Sequence, residues 1–144
     1  MPAPVRPIIF VDNDEEDLYL VRSALFELGI QSPFRHFNTG AEVLEYLNKT
    51  MEQPFLILCD ISLPKRDGLE LRDYIMNDEK LRKKAIPFIF FTDYATQENV
   101  NDAYRLMVQG FFAKPADFEM LKDMLQSIVS YWDSCLHPNR LLAH

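Results

Sequence analysis

Residues 56 to 71 read LILCDISLPKRDGLEL, and the fold follows from how that stretch divides. It continues an uncharged apolar run, Phe55, Leu56, Ile57, Leu58 and Cys59, of the kind a strand buried on both faces of a parallel sheet requires. The run stops at Asp60. A loop holding Pro64 follows, then Asp67-Gly68, then a helical pattern through Leu69, Leu71, Arg72 and Ile75. A carboxylate at the carboxyl end of a buried strand lies at the rim where open α/β sheets place their sites. Asp and Pro are also ordinary loop residues, so for this stretch alone an Asp that merely closes a strand and starts a turn is the commoner case.

Three other junctions repeat the arrangement. The run Pro7 to Val11 ends in Asp12-Asn13-Asp14, the run Ile86 to Phe91 in Thr92, and the run Gly110 to Ala113 in Lys114-Pro115. Acid, acid, hydroxyl and lysine thus each stand where an apolar run meets its loop. In a doubly wound sheet those strand ends converge on one edge.

Between the runs the period changes from strand to helix. After the acidic run Asp12 to Asp17, which suits a first helical turn, Leu18, Val21, Leu25 and Leu28 form a stripe closed by Gly29. Phe34 to Phe37 reads as a short strand, and a helix starting after Asn38-Thr39-Gly40 presents Val43, Leu44 and Leu47. The helix behind Asp60 ends near Asn77. Thr96 to Val108 reads as a helix with Val100, Ala103 and Met107 on one face. Asp117 to Asp133 reads as the last helix, with Phe118, Leu121, Leu125, Ile128 and Trp132 toward the core. Five strand–helix alternations imply a parallel sheet with right-handed crossovers and helices on both faces. Residues 1 to 6 read as a flexible lead, 7 to 134 as one domain and 135 to 144 as a tail.

Composition narrows the function. A chain of 144 residues with 48% hydrophobic and 26% charged residues fits one globular domain. A net charge of −7 argues against a nucleic-acid surface, which needs clustered cations. The basic cluster Lys80, Arg82, Lys83 and Lys84 reads as a solvated loop. No apolar segment approaches the roughly 20 residues of a membrane helix, and no signal-peptide pattern opens the chain. Cys59 inside a strand and Cys135 near the end do not form a plausible disulfide pair, which suits a reducing cytoplasm.

The four strand-end residues in order, with D-x-x-L-P-x-x-D-G from Asp60 and K-P at Lys114, resemble the receiver domain of bacterial two-component response regulators over residues 7 to 133. The resemblance implies a flavodoxin-like five-stranded sheet in the order 2-1-3-4-5. It also implies that Asp60 accepts a phosphoryl group from a phosphohistidine on a sensor histidine kinase or a phosphotransfer protein. A carboxylate is chemically able to do this, holding the phosphorus as an acyl phosphate. Charge neutralisation by Mg2+ belongs to the same picture, and magnesium prefers oxygen ligands. By analogy with the family its ligands are Asp12, Asn13, Asp60 and the backbone carbonyl of Ser62. Lys114 matches the lysine that pairs with phosphoryl oxygens, Thr92 the hydroxyl that turns inward to them, Phe111 the switch aromatic and Pro115 a cis proline.

Two positions depart from the family pattern. Asn13 stands where a second acid ends the first strand, so the site loses one formal charge unless Asp12 or Asp14 compensates. Asp93 follows Thr92 where a small residue is usual, and a carboxylate there either repels a phosphoryl group or faces solvent. Tyr94 and Ser62 occupy positions that tune phosphoryl lifetime in the family.

No output domain is expected after residue 133, so signalling falls to the domain's own surface. The segments KPADFEML and SYWDSCLHP resemble the single-domain regulators that partner phytochrome-type sensor kinases, many of which form homodimers through their last helices and strand. Met120, Met124 and Tyr131 make a second apolar stripe on the last helix, and a helix apolar on two sides is usually covered on both. Tyr104 and Val108 are the candidate contributors from the neighbouring helix. Two other readings stay open. One is a phosphorylation-independent docking module on the same fold, favoured by Asn13 and Asp93. The other is a phosphatase of the haloacid dehalogenase type, built on Asp12-Asn13-Asp14, Thr92 and Lys114, in which Asp60 would be idle. As a receiver the protein is not expected to be an enzyme beyond Mg2+-dependent self-phosphorylation and self-dephosphorylation.

Overall fold

The structure, a computed structural model, describes residues 4–62 and 67–138. Its centre is a five-stranded parallel sheet in the order β2-β1-β3-β4-β5. The strands are β1 (Ile8–Val11), β2 (Phe34–Phe37), β3 (Leu56–Cys59), β4 (Phe88–Thr92) and β5 (Gly110–Ala113). The helices are α1 (Glu15–Glu27), α2 (Gly40–Lys49), α3 (Asp67–Asn77), α4 (Glu79–Lys83), α5 (Gln97–Arg105) and α6 (Phe118–Ser134).

Strand alternation divides the core in two. Ile9, Val11, Ile57, Cys59, Phe88 and Phe90 point to the face covered by residues of α2, α3, α4 and α5. Ile8, Phe10, Leu56, Leu58, Ile89 and Phe91 point to the other face, under α1 and α6. β1, β3 and β4 are buried along their whole length, which explains why their sequences are continuous apolar runs rather than alternating ones. Each fully buried Phe or Ile in these rows contributes about 2 kcal/mol by its removal from water.

Local chemistry sets the boundaries. Asp14 caps α1, and Gly29 takes the left-handed conformation (φ 71°) that lets the Gly29 and Ile30 N–H groups close back on Phe26 and Leu25. Thr39 and Glu42 form a reciprocal capping box at α2. β4 begins at Phe88 rather than Ile86 because Pro87 has no N–H to give a central strand. Thr92 is its last residue and not the first of the loop. All described peptide bonds are trans, Lys114–Pro115 included, where the resemblance implies cis.

The basic cluster is a helix and not a loop. Asp78 caps it through the Leu81 N–H, and Leu81 is buried, so one apolar anchor and one cap order a turn whose charges stay in water. At α5 the helix stops at Arg105, short of the expected Val108. The guanidinium of Arg72, 4% exposed, donates from Nε to Leu106 O (2.9 Å) and from Nη2 to Met107 O (2.7 Å). Those carbonyls are therefore turned toward α3, Met107 adopts φ 60°, and its side chain leaves the core face for solvent. Val108 then drops into the core at 7% exposure, so it is not available to an interface. Met124 is half-buried against the α1/α6 core, while Met120, Tyr131 and Tyr104 are exposed as the second stripe requires. Cys59 is buried and Cys135 half-buried, both as free thiols. Among the described residues no helix is long and apolar enough to cross a membrane.

Candidate functional site

The carboxyl ends of β1, β3, β4 and β5 meet at one rim, and register brings their last residues side by side. Val11 pairs with Cys59, Cys59 with Phe90, and Thr92 with Ala113. One residue further on stand Asp12, Asp60 and Lys114. The Lys114 Nζ, its side chain 5% exposed, donates to Asp12 Oδ2 (2.7 Å), to Asp17 Oδ2 (2.6 Å) and to Asp60 Oδ2 (3.2 Å). Asp93 lies 3.8 Å from the same ammonium with its own side chain largely in solvent. Four carboxylates thus share one lysine.

Backbone groups fix the acids. Asp12 Oδ1 accepts from the Asp14 N–H and Asp60 Oδ1 from the Ser62 N–H, both at 2.8 Å. His36 Nε2 donates to the Asp12 carbonyl (2.7 Å), tying β2 to the same strand end. Burial pushes the Asp12 carboxyl above its ordinary value, against the hydrogen bonds from Lys114 and Asp14 that pull it down. Lys114 answers in the opposite sense: burial opposes its charge, but bonds to Asp12 and Asp17 hold its pKa above that of a free lysine. The ammonium therefore stays charged, a fixed counter-ion beside Asp60.

The loop after Asp60 is held from two sides. Asp67 accepts from the Gly40 N–H at the start of α2. Gly68 approaches so closely that a Cβ would lie 2.8 Å from the Asp60 carbonyl oxygen, so the Asp-Gly pair at this spacing lets α3 begin directly beneath the rim. Residues 63 to 66, with Leu63 and Pro64 of the motif, lie outside the described residues. Thr92 is fully buried, its Oγ1 2.9 Å from Ser62 Oγ, so the hydroxyl faces the loop that carries Asp60. Phe111 is half-buried, packed on Phe90 with ring centroids 5.9 Å apart.

The structure thus unites Asp12, Asp60 and Lys114 and sets Thr92 and Ser62 beside them. Asn13 is exposed at the edge of the site. Asp17 was not singled out in the sequence, although the signal was there: an Asp three residues after a capping Asp sits in the first turn, on the side facing back to the strand end. Carboxylate oxygens of Asp12, Asp17 and Asp60 lie within 4.8 Å of one another. An all-oxygen, partly buried donor set of this size fits a hard divalent cation.

A doubly wound sheet of this order, with an acidic rim and a buried lysine, is the architecture of phosphoacceptor domains in two-component signalling. Comparison with known proteins gives the family: residues 8–126 match the response regulator receiver domain, and the chain belongs to it. The probable methanogenesis regulatory protein FilR2 of Methanothrix harundinacea is 30% identical over 129 residues, covering 87% of this chain and 82% of that protein. The response regulator Rcp1 of Synechocystis is 28% identical over 134 residues, covering 90% of each chain. Its Mn2+-bound crystal structure superposes with a TM-score of 0.79, at 26% identity over 92% of this chain and 99% of that one. The phosphorylated cyanobacterial phytochrome response regulator RcpA gives 0.80, at the same identity and coverage. The protein is therefore a response regulator receiver close to the phytochrome response regulators. Its family signals by phosphorylation of an aspartate, binds a divalent metal at an acidic pocket and exchanges phosphoryl groups with histidine kinases or phosphotransfer proteins.

Proposed function

We propose that Asp60 is the phosphoacceptor of this receiver. The observation that supports it best is the Lys114 ammonium, held between Asp60 and Asp12, its charge opposed by burial but secured by its hydrogen bonds to Asp12 and Asp17. In the transfer, an Asp60 carboxylate oxygen attacks the phosphorus of a phosphohistidine. The P–O bond forms as the P–N bond breaks, and the imidazole departs with the electron pair. Asp60 Oδ1 is held by the Ser62 N–H, which leaves Oδ2, on the Lys114 side, as the attacking oxygen. Lys114 then faces the charge that builds on the phosphoryl oxygens, a preorganised contact of the kind that contributes most to such reactions.

Mg2+ is the expected cation, with Asp12, Asn13, Asp60 and the Ser62 carbonyl as its holders; when bound it neutralises phosphoryl charge. Rcp1 binds Mn2+, which has similar oxygen preferences. Thr92 is the hydroxyl that turns to the phosphoryl group, exchanging its bond to Ser62 for one to a phosphoryl oxygen. Phe111, beside Phe90, is the aromatic that follows it. Self-dephosphorylation by water at the same centre returns the domain to rest. The donor is a sensor histidine kinase or a phosphotransfer protein of the cytoplasm.

The output surface is the α5–β5–α6 face, used as a homodimer interface. Tyr104, Met120 and Tyr131 are its exposed apolar side chains, and Met124 contributes from its half-buried place. Tyr131 stacks edge-on against Trp132, with centroids 4.9 Å apart, beside a groove lined by Ile89, Phe112 and Ile128. Aromatic residues and Met are enriched in interface cores, and two-fold symmetry lets one patch serve both subunits. Met120→Lys is expected to give a monomer by sedimentation with an unchanged circular-dichroism spectrum and a melting temperature that no longer rises with protein concentration; a dimer that survives it, or a wild type that is monomeric, removes this part of the reading.

Acetyl phosphate with Mg2+ tests the main reading. Intact mass should show one added phosphate on the wild type and none on Asp60→Asn. No uptake by the wild type favours a docking module; equal labelling of both proteins overturns the assignment of Asp60.

A further inference from the structure

We infer that Asp17 is the third carboxylate of the cation site, supplying from the first turn of α1 the charge that Asn13 withholds. The inference rests on the phosphoacceptor reading above. Geometry selects Asp17 from the acidic run. Asp14 is engaged as the helix cap, its carboxylate accepting from the Asp17 N–H (3.0 Å), and Glu15 and Glu16 are exposed. That cap fixes the turn. Because helical side chains lean toward the N-terminus, the Asp17 carboxylate reaches back over the end of β1. There it meets Lys114 at 2.6 Å and comes within 4.8 Å of carboxylate oxygens of both Asp12 and Asp60. Its side chain is 17% exposed, so it belongs to the pocket and not to the solvated face of α1.

Charge gives the reason. Asp12 and Asp60 with Lys114 sum to −1, a weak match for a dication. Asp17 brings the sum to −2, and the N-terminus of α1 favours a negative group in its first turn, so the added charge costs little there. Asp12 and Asp60 each have one oxygen tied to a backbone N–H, whereas Asp17 carries no backbone donor among the described residues. Of the three it is the carboxylate freest to turn from Lys114 to a cation. A neutral Asn at position 13 is thereby tolerated, because the helix and not the strand end completes the acidic set.

Mn2+ binding, followed by the electron paramagnetic resonance of the free ion and by calorimetry, tests this without reference to phosphoryl transfer. Asp17→Asn should weaken Mn2+ binding roughly tenfold, since fewer carboxylates hold a hard cation less tightly. Asn13→Asp added to Asp17→Asn should recover most of that loss. Asp14→Asn removes the same formal charge while keeping a good cap, and should change binding less than about twofold. Asp17→Ser, checked with the others by thermal melting, gives a second reading if Asp17→Asn does not fold. Unchanged affinity in the folded Asp17 variant overturns the inference, as does an equal loss in Asp14→Asn, which would reduce the effect to the general field. A wild type that binds Mn2+ and takes up phosphate while Asp17→Asn does both equally well overturns this inference alone. A wild type that does neither overturns the phosphoacceptor reading and this inference with it.

Discussion

Lys114 and Arg72 are both buried cations, and they are surrounded in opposite ways. Lys114 has Asp12, Asp17 and Asp60 within hydrogen-bond reach, and its positive charge is strengthened. Arg72 has two carbonyl oxygens and the face of Phe88, 5.4 Å from the guanidinium, and burial lowers its pKa from the ordinary arginine value. A cation among excess carboxylates sits in an exchangeable field, because other cations and charged oxygens can replace its partners. A cation among carbonyl dipoles at a helix end is a clamp, with geometry and no net charge to trade. One is the centre of the site. The other holds α3 to the turn before β5.

Loss of either buried cation should have the largest effect. Arg72→Ala leaves a cavity and two carbonyls without their donor, and is expected to cost about 3 kcal/mol in urea denaturation. Added Mg2+ should not recover it. Lys114→Met should cost a similar amount, about 3 kcal/mol, because it leaves Asp12, Asp17 and Asp60 clustered without their cation. There Mg2+ should restore part of the stability, by binding the acids that repel one another. If the two variants respond alike to Mg2+, the distinction between site and clamp fails.

The two cations also differ in their response to pH. The folded Lys114 keeps a proton that the unfolded chain releases from about pH 10.5 upward, so its contribution is complete below that value and is lost as the pH rises further. The stability difference between wild type and Lys114→Met should therefore hold up to about pH 10 and shrink from there to about pH 11.5 in denaturant titrations. A difference that grows with pH contradicts the raised pKa. The smallest effect is expected for Arg72→Lys, which keeps the charge but loses the fork that spans two carbonyls; about 1 kcal/mol, read as a shift in denaturation midpoint, separates geometry from charge at this position.

The sequence by itself determined the frame. Apolar runs ending in Asp12, Asp60, Thr92 and Lys114 were enough to place four strand ends on one rim: β1 and β3, buried on both faces, admit a charged residue only where they leave the sheet, whereas Thr92 still lies within β4 and the edge strand β5 is only partly buried. The same logic gave the helices, whose stripes at Val21, Leu25, Leu121, Leu125 and Ile128 are buried as their spacing requires. Only the tertiary structure decided what depends on contacts between distant segments. Asp17 read as one more acid in a helical turn until Lys114, 97 residues away, closed on it. Val108 read as a surface residue of α5 until Arg72, on another helix, drew two carbonyls aside and ended that helix early. Periodicity is a local property and is written in neighbouring residues. Which charge meets which, and where a helix must stop, is settled by partners that the chain brings together only when it folds.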